Sequence, residues 1–172
     1  MGTGETTVYT HSLATPIGRL FLAVDRQGAV YRVAFDEISD LPEELVIEEN
    51  KYACGELEYQ IEEYFAGQRK RFSVEIHLRG TEFQISVWKR LQKISYGNTI
   101  SYGEVARKIG RPDAARAVGN AVATNPVPIV VPCHRVVRAN GDVGSYALRS
   151  VDDESGRATK RVLLRLEGAI SS

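Results

Sequence analysis

Three prolines fall within seven residues, Pro126, Pro128 and Pro132, in the run "NPVPIVVPCHRVV". Each lacks a backbone donor and turns the residue before it away from helical geometry. The Ala-rich stretch ahead of them, "AARAVGNAVAT", therefore has to stop as a helix at Asn125–Pro126. Beyond that point the chain continues as a rigid, non-helical connection. "IVV" reads as a short buried strand closed by Pro132, so Cys133 stands where a strand leaves the core, with His134 beside it. Any fold open to this chain must hand a helix over to an extended apolar segment and carry a thiol and an imidazole at its exit.

A buried thiol ordinarily behaves as a small, inert hydrophobe. A neighbouring imidazole changes that, because it can take the thiol proton and leave the reactive thiolate. Adjacent side chains diverge on a regular strand, so the pair needs a turn or a bridging water. A third group, usually a carboxylate, has to orient the imidazole. A cysteine protease also uses Cys and His. Its pair stands far apart in sequence, and no papain-like or caspase-like context is present here. The chain has 172 residues and two cysteines, Cys54 and Cys133, with no CxxC. This usage suits a reducing compartment rather than a disulfide framework. No apolar run is long enough to span a bilayer and the N-terminus has no signal-peptide pattern, so a soluble intracellular protein with no membrane partner is expected.

The formal net charge of zero hides two blocks. Residues 1–80 carry 8 basic against 14 acidic side chains, and residues 81–149 carry 10 against 4. Two domains follow, 1–80 and 81–172, the basic one a candidate for a polyanion. Two solvated surfaces that attract each other would give the same pattern. In the front half "RLFLAV" and "AVYRVAF" read as strands joined by a "DRQG" hairpin turn, and "FSVEIHL" as a further strand. "ELEYQIEEYFAG" reads as a helix with Leu57, Ile61, Tyr64 and Phe65 on one face and Gly67 as its stop. His11, Cys54 and His77 have no metal-ligand spacing and read as core or surface residues.

The second half begins with Thr81 as cap of a helix whose stripe is Val87, Trp88, Leu91 and Ile94. "SYGE" matches a capping box, Ser101 to Glu104, before a short helix that turns Val105, Ala106 and Ile109 inward and stops at Gly110. "RPDAARAVGNAVATN" opens a third helix with Pro112 in its first turn. Val118 and Val122 form one stripe of this helix, and Arg116 and Asn120 share another. Two short helices about a Gly-containing turn look like a helix-turn-helix, and a plain antiparallel helix pair is the alternative. Arg107, Lys108, Arg111 and Arg138 are candidates for phosphate contacts.

"NPVPIVVPCHRVV" closely resembles the active-site segment of the O6-alkylguanine-DNA alkyltransferases. "FQISVWKRLQKISYGNTISYGEVA", "AARAVGNAVATNPVPIVVPCHRVV", "GDVGSYA" and "LLRLEG" follow in the order of that family. The resemblance covers Thr81 to Gly168. It implies an α/β fold, with an RNase H-like N-terminal α/β domain and a mostly helical C-terminal domain that carries the helix-turn-helix and the active-site cysteine. It also implies direct-reversal DNA repair by a methylated-DNA–protein-cysteine methyltransferase. Such a protein binds double-stranded DNA through the minor groove as a monomer, with cooperative assembly left open, and works in the cytoplasm or the nucleus of a eukaryote. It flips out an O6-alkylguanine, with O4-alkylthymine an open second substrate, and moves the alkyl group irreversibly onto Cys133 without metal or cofactor.

Carried over residue by residue, Cys133 is the acceptor, His134 the water-mediated base, Glu167 its orienter and Asn125 the hinge. Tyr102 donates to N3 of the flipped base and crowds the phosphate. Arg116 fills the vacated stack, with Ala117 and Asn120 beside it against DNA. The carbonyls of Cys133 and Val136 accept from the exocyclic amine, Pro128 and Tyr146 line the pocket, and the Ala147 N–H faces O6. Two departures stand out. "LRSVDDESGRATK" replaces a shorter glycine-rich link and could alter which alkyl groups fit, and Ala147 stands where serine is frequent. The competing readings are a non-catalytic, lesion-binding alkyltransferase-like protein, which replaces the acceptor cysteine, and a plain helix-turn-helix binder with an inert thiol. Cys54 reads as structural.

Overall fold

The computed structural model describes residues 5–146 and 153–171. Two compact units divide between Leu78 and Arg79. In the first, strands β1 (Thr7–Thr15), β2 (Gly18–Val24), β3 (Val30–Ala34) and β4 (Val46–Glu49) form one sheet in the order β3-β2-β1-β4. β1 and β2 are antiparallel, as are β2 and β3, while β4 runs parallel to β1. Alternation buries Leu20, Leu22 and Val24 of β2. The β2–β3 turn is closed by the Asp25 carboxylate, which accepts from the N–H groups of Gln27 and Ala29, both at 2.9 Å. Helix α1 (Gly55–Phe65) buries Leu57, Ile61 and Tyr64, as its spacing predicts, whereas Phe65 is only half-buried.

Two front-half expectations change. "FSVEIHL" is not a full strand. It meets β3 at a single bridge, Val30 to Ile76, where Glu75 accepts from Val30 and His77 donates back to it. β1 and β4 are strands that the sequence reading did not separate. β4 is short and exposed along its whole length, so it lacks the half-buried alternation that marks a strand. His11, His77 and Cys54, read as core or surface residues, have structural engagements: His11 Nε2 meets Glu58 Oε1 at 3.2 Å, and His77 stacks on Tyr31 with ring centroids 4.2 Å apart. Cys54 is fully buried, its Sγ lies 3.5 Å from the Tyr9 carbonyl, and burial followed by the Glu58 charge pushes its thiol up to about 12. A thiol held neutral in this way is structural.

The second unit contains α2 (Glu82–Leu91), β5 (Ile100–Ser101), α3 (Tyr102–Lys108), α4 (Ala115–Ala123), β6 (Val136–Val137) and α5 (Asp153–Leu166). Thr81 caps α2 in a complete capping box with Gln84. Ser101 caps α3 by accepting from the Glu104 N–H at 3.1 Å, but the Glu104 carboxylate turns to Arg107 at 2.8 Å. The expected box at "SYGE" is therefore half formed, because a guanidinium partner outcompetes the backbone. Gly110, at φ +77, makes the left-handed turn between α3 and α4 that a side chain would oppose. Pro112 lies in the turn ahead of α4, not in its first helical turn, since Ala114 is the N-cap. Ile109 is half-buried rather than core.

The short β5 and β6 pair in parallel, Ile100 with Val136. Among the described residues no helix is long and apolar enough to cross a membrane. Trp88 on α2 is 2% exposed, and its indole N–H donates to the Ala121 carbonyl of α4 at 2.9 Å. Removing that ring leaves a cavity and an orphaned tie. Trp88→Ala is expected to cost about 3–5 kcal/mol, read from urea unfolding followed by far-UV circular dichroism. A loss below about 1 kcal/mol would contradict this packing role.

Candidate active site

Helix α4 ends at Ala123, and the next turns are held by one side chain. Asn125 Nδ2 donates to the Val131 carbonyl at 2.8 Å, and its Oδ1 accepts from the Val127 N–H at 3.0 Å. The expected "IVV" strand is absent. Residues 128–131 form a tight turn with an isolated bridge from Pro128 to Val131, and Ile129 sits at φ +75. A β-branched residue rarely adopts that geometry, so the turn stores strain that the Asn125 bonds and the burial of Ile129 hold in place. Pro132, at φ −80 and ψ 67, then forms an inverse γ-turn closed by the Cys133 N–H on the Val131 carbonyl at 2.8 Å. Cys133, His134 and Arg135 follow as one 3-10 turn whose Cys133 carbonyl accepts from the Val136 N–H. That turn points successive side chains in different directions.

His134 is fully buried, and its Nε2 lies 2.8 Å from Glu167 Oε2 at the end of α5. A carboxylate only accepts, so the proton belongs on Nε2 and Nδ1 is left as the basic nitrogen. Nδ1 is buried with no hydrogen-bond partner among the described residues. Glu167 is also gripped by Arg135, whose Nε donates to Oε1 at 2.8 Å and Nη2 to Oε2 at 2.9 Å. Arg135 reaches on to the Ile94 carbonyl and lies over the Tyr96 ring at 5.8 Å. Four residues expected at the site, Asn125, Cys133, His134 and Glu167, thus gather around one 3-10 turn, with Arg135 as a member that the sequence pattern did not single out.

Burial sets the charge states. Cys133 is 3% exposed, and desolvation raises its thiol above the usual range. The Asn125 side chain, the positive charge of Lys160 and the Tyr146 side chain act the other way. Burial lowers the His134 imidazole, against the opposing pull of Glu167. The resting pair is therefore a neutral thiol beside a neutral imidazole, not a preformed ion pair. Tyr102, at the start of α3, stays a phenol O–H donor, because burial and then the adjacent Cys133 raise it. Val136 and Pro128 are buried with this cluster's backbone, and Tyr146 is 3% exposed. Gly156 of α5 sits so close to Tyr146 that an added Cβ would come within 2.7 Å of its carbonyl oxygen. Ala147 lies outside the described residues, as do residues 148–152 of the "LRSVDDESGRATK" segment, whose remainder, 153–160, opens α5.

Lys160 is a second residue that the sequence reading missed. It is 1% exposed, and its Nζ donates to the Ser145 carbonyl at 3.4 Å. Burial pulls its ammonium down to about 8, while the Cys133 charge raises it. A signal existed: Lys160 lies seven residues before Glu167, two turns along the same buried stripe as Gly156, Leu163 and Leu164. Arg116, Ala117 and Asn120 are not part of the cluster. They are exposed on α4, opposite buried Val118, Ala121 and Val122. Lys108, Arg111 and Arg138 are exposed as well, and Arg107 is paired with Glu104.

Comparisons with known proteins agree on one family. The profile of the 6-O-methylguanine DNA methyltransferase DNA-binding domain matches residues 82–169. The methylated-DNA–protein-cysteine methyltransferase of Methanosarcina acetivorans is 44% identical over 94% of this chain and 99% of its own. The crystal structure of Mycobacterium tuberculosis OGT in complex with DNA superposes with a TM-score of 0.81 at 40% identity, covering 95% of this chain and 93% of that one. The O6-methylguanine-DNA methyltransferase of Pyrococcus kodakaraensis KOD1 gives 0.60 at 26% identity, over 94% and 99%.

Two outcomes follow from the geometry. Asn125→Ala leaves the Val131 carbonyl short of one donor and the Val127 N–H without its acceptor, at a cost of about 2–4 kcal/mol in chemical unfolding. Lys160 predicts a pH dependence. Its folded value near 8 lies below the usual 10.5, so the unfolded chain binds more protons between those pH values. Its burial penalty is full below pH 8 and fades as pH rises towards 10.5. The unfolding free energy should therefore climb across that window in the native chain and climb less in Lys160→Met, compared by denaturant melts at each pH.

Proposed function

The chain belongs to the 6-O-methylguanine DNA methyltransferase family, and from that premise we propose that it repairs O6-alkylguanine in duplex DNA by moving the alkyl group to Sγ of its own Cys133. The observation that carries this reading is the buried chain of contacts from Glu167 to His134 beside Cys133. Such a site makes sense for a nucleophile used in a dry pocket. A lesion-binding protein without transfer has no use for a thiol with its own base, and the Cys133 acceptor stands against that alternative.

DNA docks on the second unit. The α3–turn–α4 pair acts as a helix-turn-helix, with α4 in the minor groove and Ala117 allowing close approach to the backbone. Exposed Lys108, Arg111 and Arg138 supply phosphate contacts, so binding is sequence-tolerant and weakens with salt. The target base turns out of the stack, at a cost of a few kcal/mol, and Arg116 takes its place. The first unit, whose β4 joins the sheet parallel to β1 outside an antiparallel β1–β3 meander, is read as RNase H-like support. The protein acts as a monomer.

In the pocket the Cys133 proton passes through one bridging water to His134 Nδ1. The sulfur attacks the alkyl carbon, a C–S bond forms and the C–O6 bond breaks with its electron pair going to the purine. Tyr102 donates to N3 and relieves the charge that gathers on the ring. The purine takes up one proton as it becomes guanine, and His134 returns to neutral. Thiol and O6-alkylguanine have become thioether and guanine, so nothing else is consumed and no cofactor enters the balance. The thioether is stable, and each molecule acts once. Main-chain carbonyls of Cys133 and Val136 select guanine through its exocyclic amine, the former with its second lone pair.

The test is intact and peptide mass after mixing the protein with a duplex carrying one O6-methylguanine. One methyl group on the Cys133 peptide is expected, equal in amount to guanine restored, with no second turnover. Tight binding without an adduct sinks the transfer reading. Arg116→Ala should slow transfer at least tenfold in duplex DNA while leaving a single-stranded substrate much less affected, because only stacked bases need a replacement.

A further inference from the structure

The reaction above needs one particular nitrogen of His134 to be bare. Nε2 lies 2.8 Å from Glu167 Oε2, and Nδ1 is buried without a hydrogen-bond partner among the described residues. Glu167 on its own works against a bare Nδ1. The His134 and Glu167 side chains are both fully buried, and an ionised carboxylate at that distance favours an imidazolium, which carries a proton on each nitrogen. A lone carboxylate beside a neutral ring is a buried net charge, and taking up one proton discharges it. On the ring that proton fills Nδ1. On the carboxylate it makes Glu167 a donor towards Nε2, and the ring proton moves to Nδ1. Either way the base is lost.

Arg135 supplies the missing charge. It is 7% exposed, and its guanidinium grips both carboxylate oxygens, Nε to Oε1 at 2.8 Å and Nη2 to Oε2 at 2.9 Å. The grip is itself held. Nη1 donates to the Ile94 carbonyl, the guanidinium lies 5.8 Å over the Tyr96 ring, and the Tyr96 hydroxyl donates to the Leu166 carbonyl at 3.2 Å. The other ionisable groups around the ring are Cys133 on the same turn and Lys160 on α5, and Tyr96 stands beside Glu167. Lys160 also disfavours a charged ring. We propose that Arg135 is a positioning residue of the transfer reaction: by neutralising Glu167 through two bonds, it keeps the ring proton of His134 on Nε2 and leaves Nδ1 free to take the proton of Cys133. This inference rests on the transfer reading above and adds a residue to it. Arg135 acts through Glu167 and His134, in contrast to a strut that merely ties the 3-10 turn to Ile94.

Two measurements test it. The first reads the ring nitrogens in protein with nitrogen-15-labelled histidine, without DNA, as a function of pH. His134 is told from His11 and His77 by its loss in His134→Gln. The second is single-turnover transfer from an O6-methylguanine duplex over the same pH range. The native ring should be neutral at pH 7 with its proton on Nε2. In Arg135→Met, Nδ1 should carry a proton at pH 7, and the acid limb of the transfer profile should move up by at least one unit. Transfer is then at least about tenfold slower on that limb, and the gap narrows to about threefold or less on the alkaline side. A strut predicts the same loss at every pH. Arg135→Lys keeps the charge without the fork, so its limb should stay within about half a unit of the native one while transfer slows evenly. A ring in Arg135→Met that stays neutral with its proton on Nε2 overturns the proposal, and so does a limb that moves as far in Arg135→Lys as in Arg135→Met. If Arg135→Met does not fold, Arg135→Gln is read in its place. If neither folds, the native spectrum decides, and an imidazolium or an Nδ1–H ring at pH 7 overturns the idea. A native protein that transfers no methyl group refutes the transfer reading itself, a result separate from the DNA-free spectra.

Discussion

The Glu167 carboxylate is the contact on which the second unit's chemistry depends. It is buried at the end of α5 and takes three short bonds, one from His134 and two from Arg135. Through them the last turn of a helix fixes the orientation of a 3-10 turn more than thirty residues earlier in the chain. Arg135 extends the grip to the Ile94 carbonyl and the Tyr96 ring, so the segment after α2 is tied to the same point. The guanidinium also balances the carboxylate's charge. Its positive charge also disfavours an imidazolium at His134, so the resting imidazole can accept a proton. The carboxylate is therefore an orienting group first, and its pairing leaves His134 neutral and ready.

Burial and reactivity oppose each other at Cys133. A dry site strengthens every dipole aimed at the sulfur, but it also penalises the thiolate that has to form. The fold answers with donors and a cation rather than with solvent: Asn125, Tyr146 and Lys160 all favour the ionised sulfur. Asn125 has a second task, because the same amide braces the strained turn at Ile129. One side chain thus links the backbone conformation that presents the cysteine to the electrostatics that activate it. This coupling explains why the turn tolerates a left-handed isoleucine, whose relaxation would carry the Val131 carbonyl away from both of its donors.

Much of this was legible in the chain, and the failures have identifiable causes. Helices α1 and α2 show period, cap and stop, so their buried faces follow from Leu57, Ile61 and Tyr64, and from Val87, Trp88 and Leu91. The prolines correctly ended α4, yet "IVV" misled, because three apolar β-branched residues suit a strand by propensity and the Asn125 bonds override it. Pro112 misled in the opposite way: it fits a first helical turn, but the chain uses it one step earlier. β4 gave no amphipathic signal because neither of its faces is covered. At the site, Cys133 and His134 were visible through adjacency, whereas Glu167 came through resemblance. Arg135 and Lys160 were overlooked because a basic residue in a basic segment looks like a solvated one, and only burial distinguishes the two.

The enclosure of Cys133 has a bearing on the protein's life outside DNA. A catalyst can afford stray encounters, since it regenerates, but a molecule that acts once is spent by any electrophile or oxidant that reaches its sulfur. At 3% exposure, and held as a neutral thiol until a base is delivered, the sulfur offers peroxides and free alkylating agents neither contact nor charge. Discrimination between damaged DNA and the small reactive molecules that damaged it is thereby achieved by access alone, before any recognition of guanine begins.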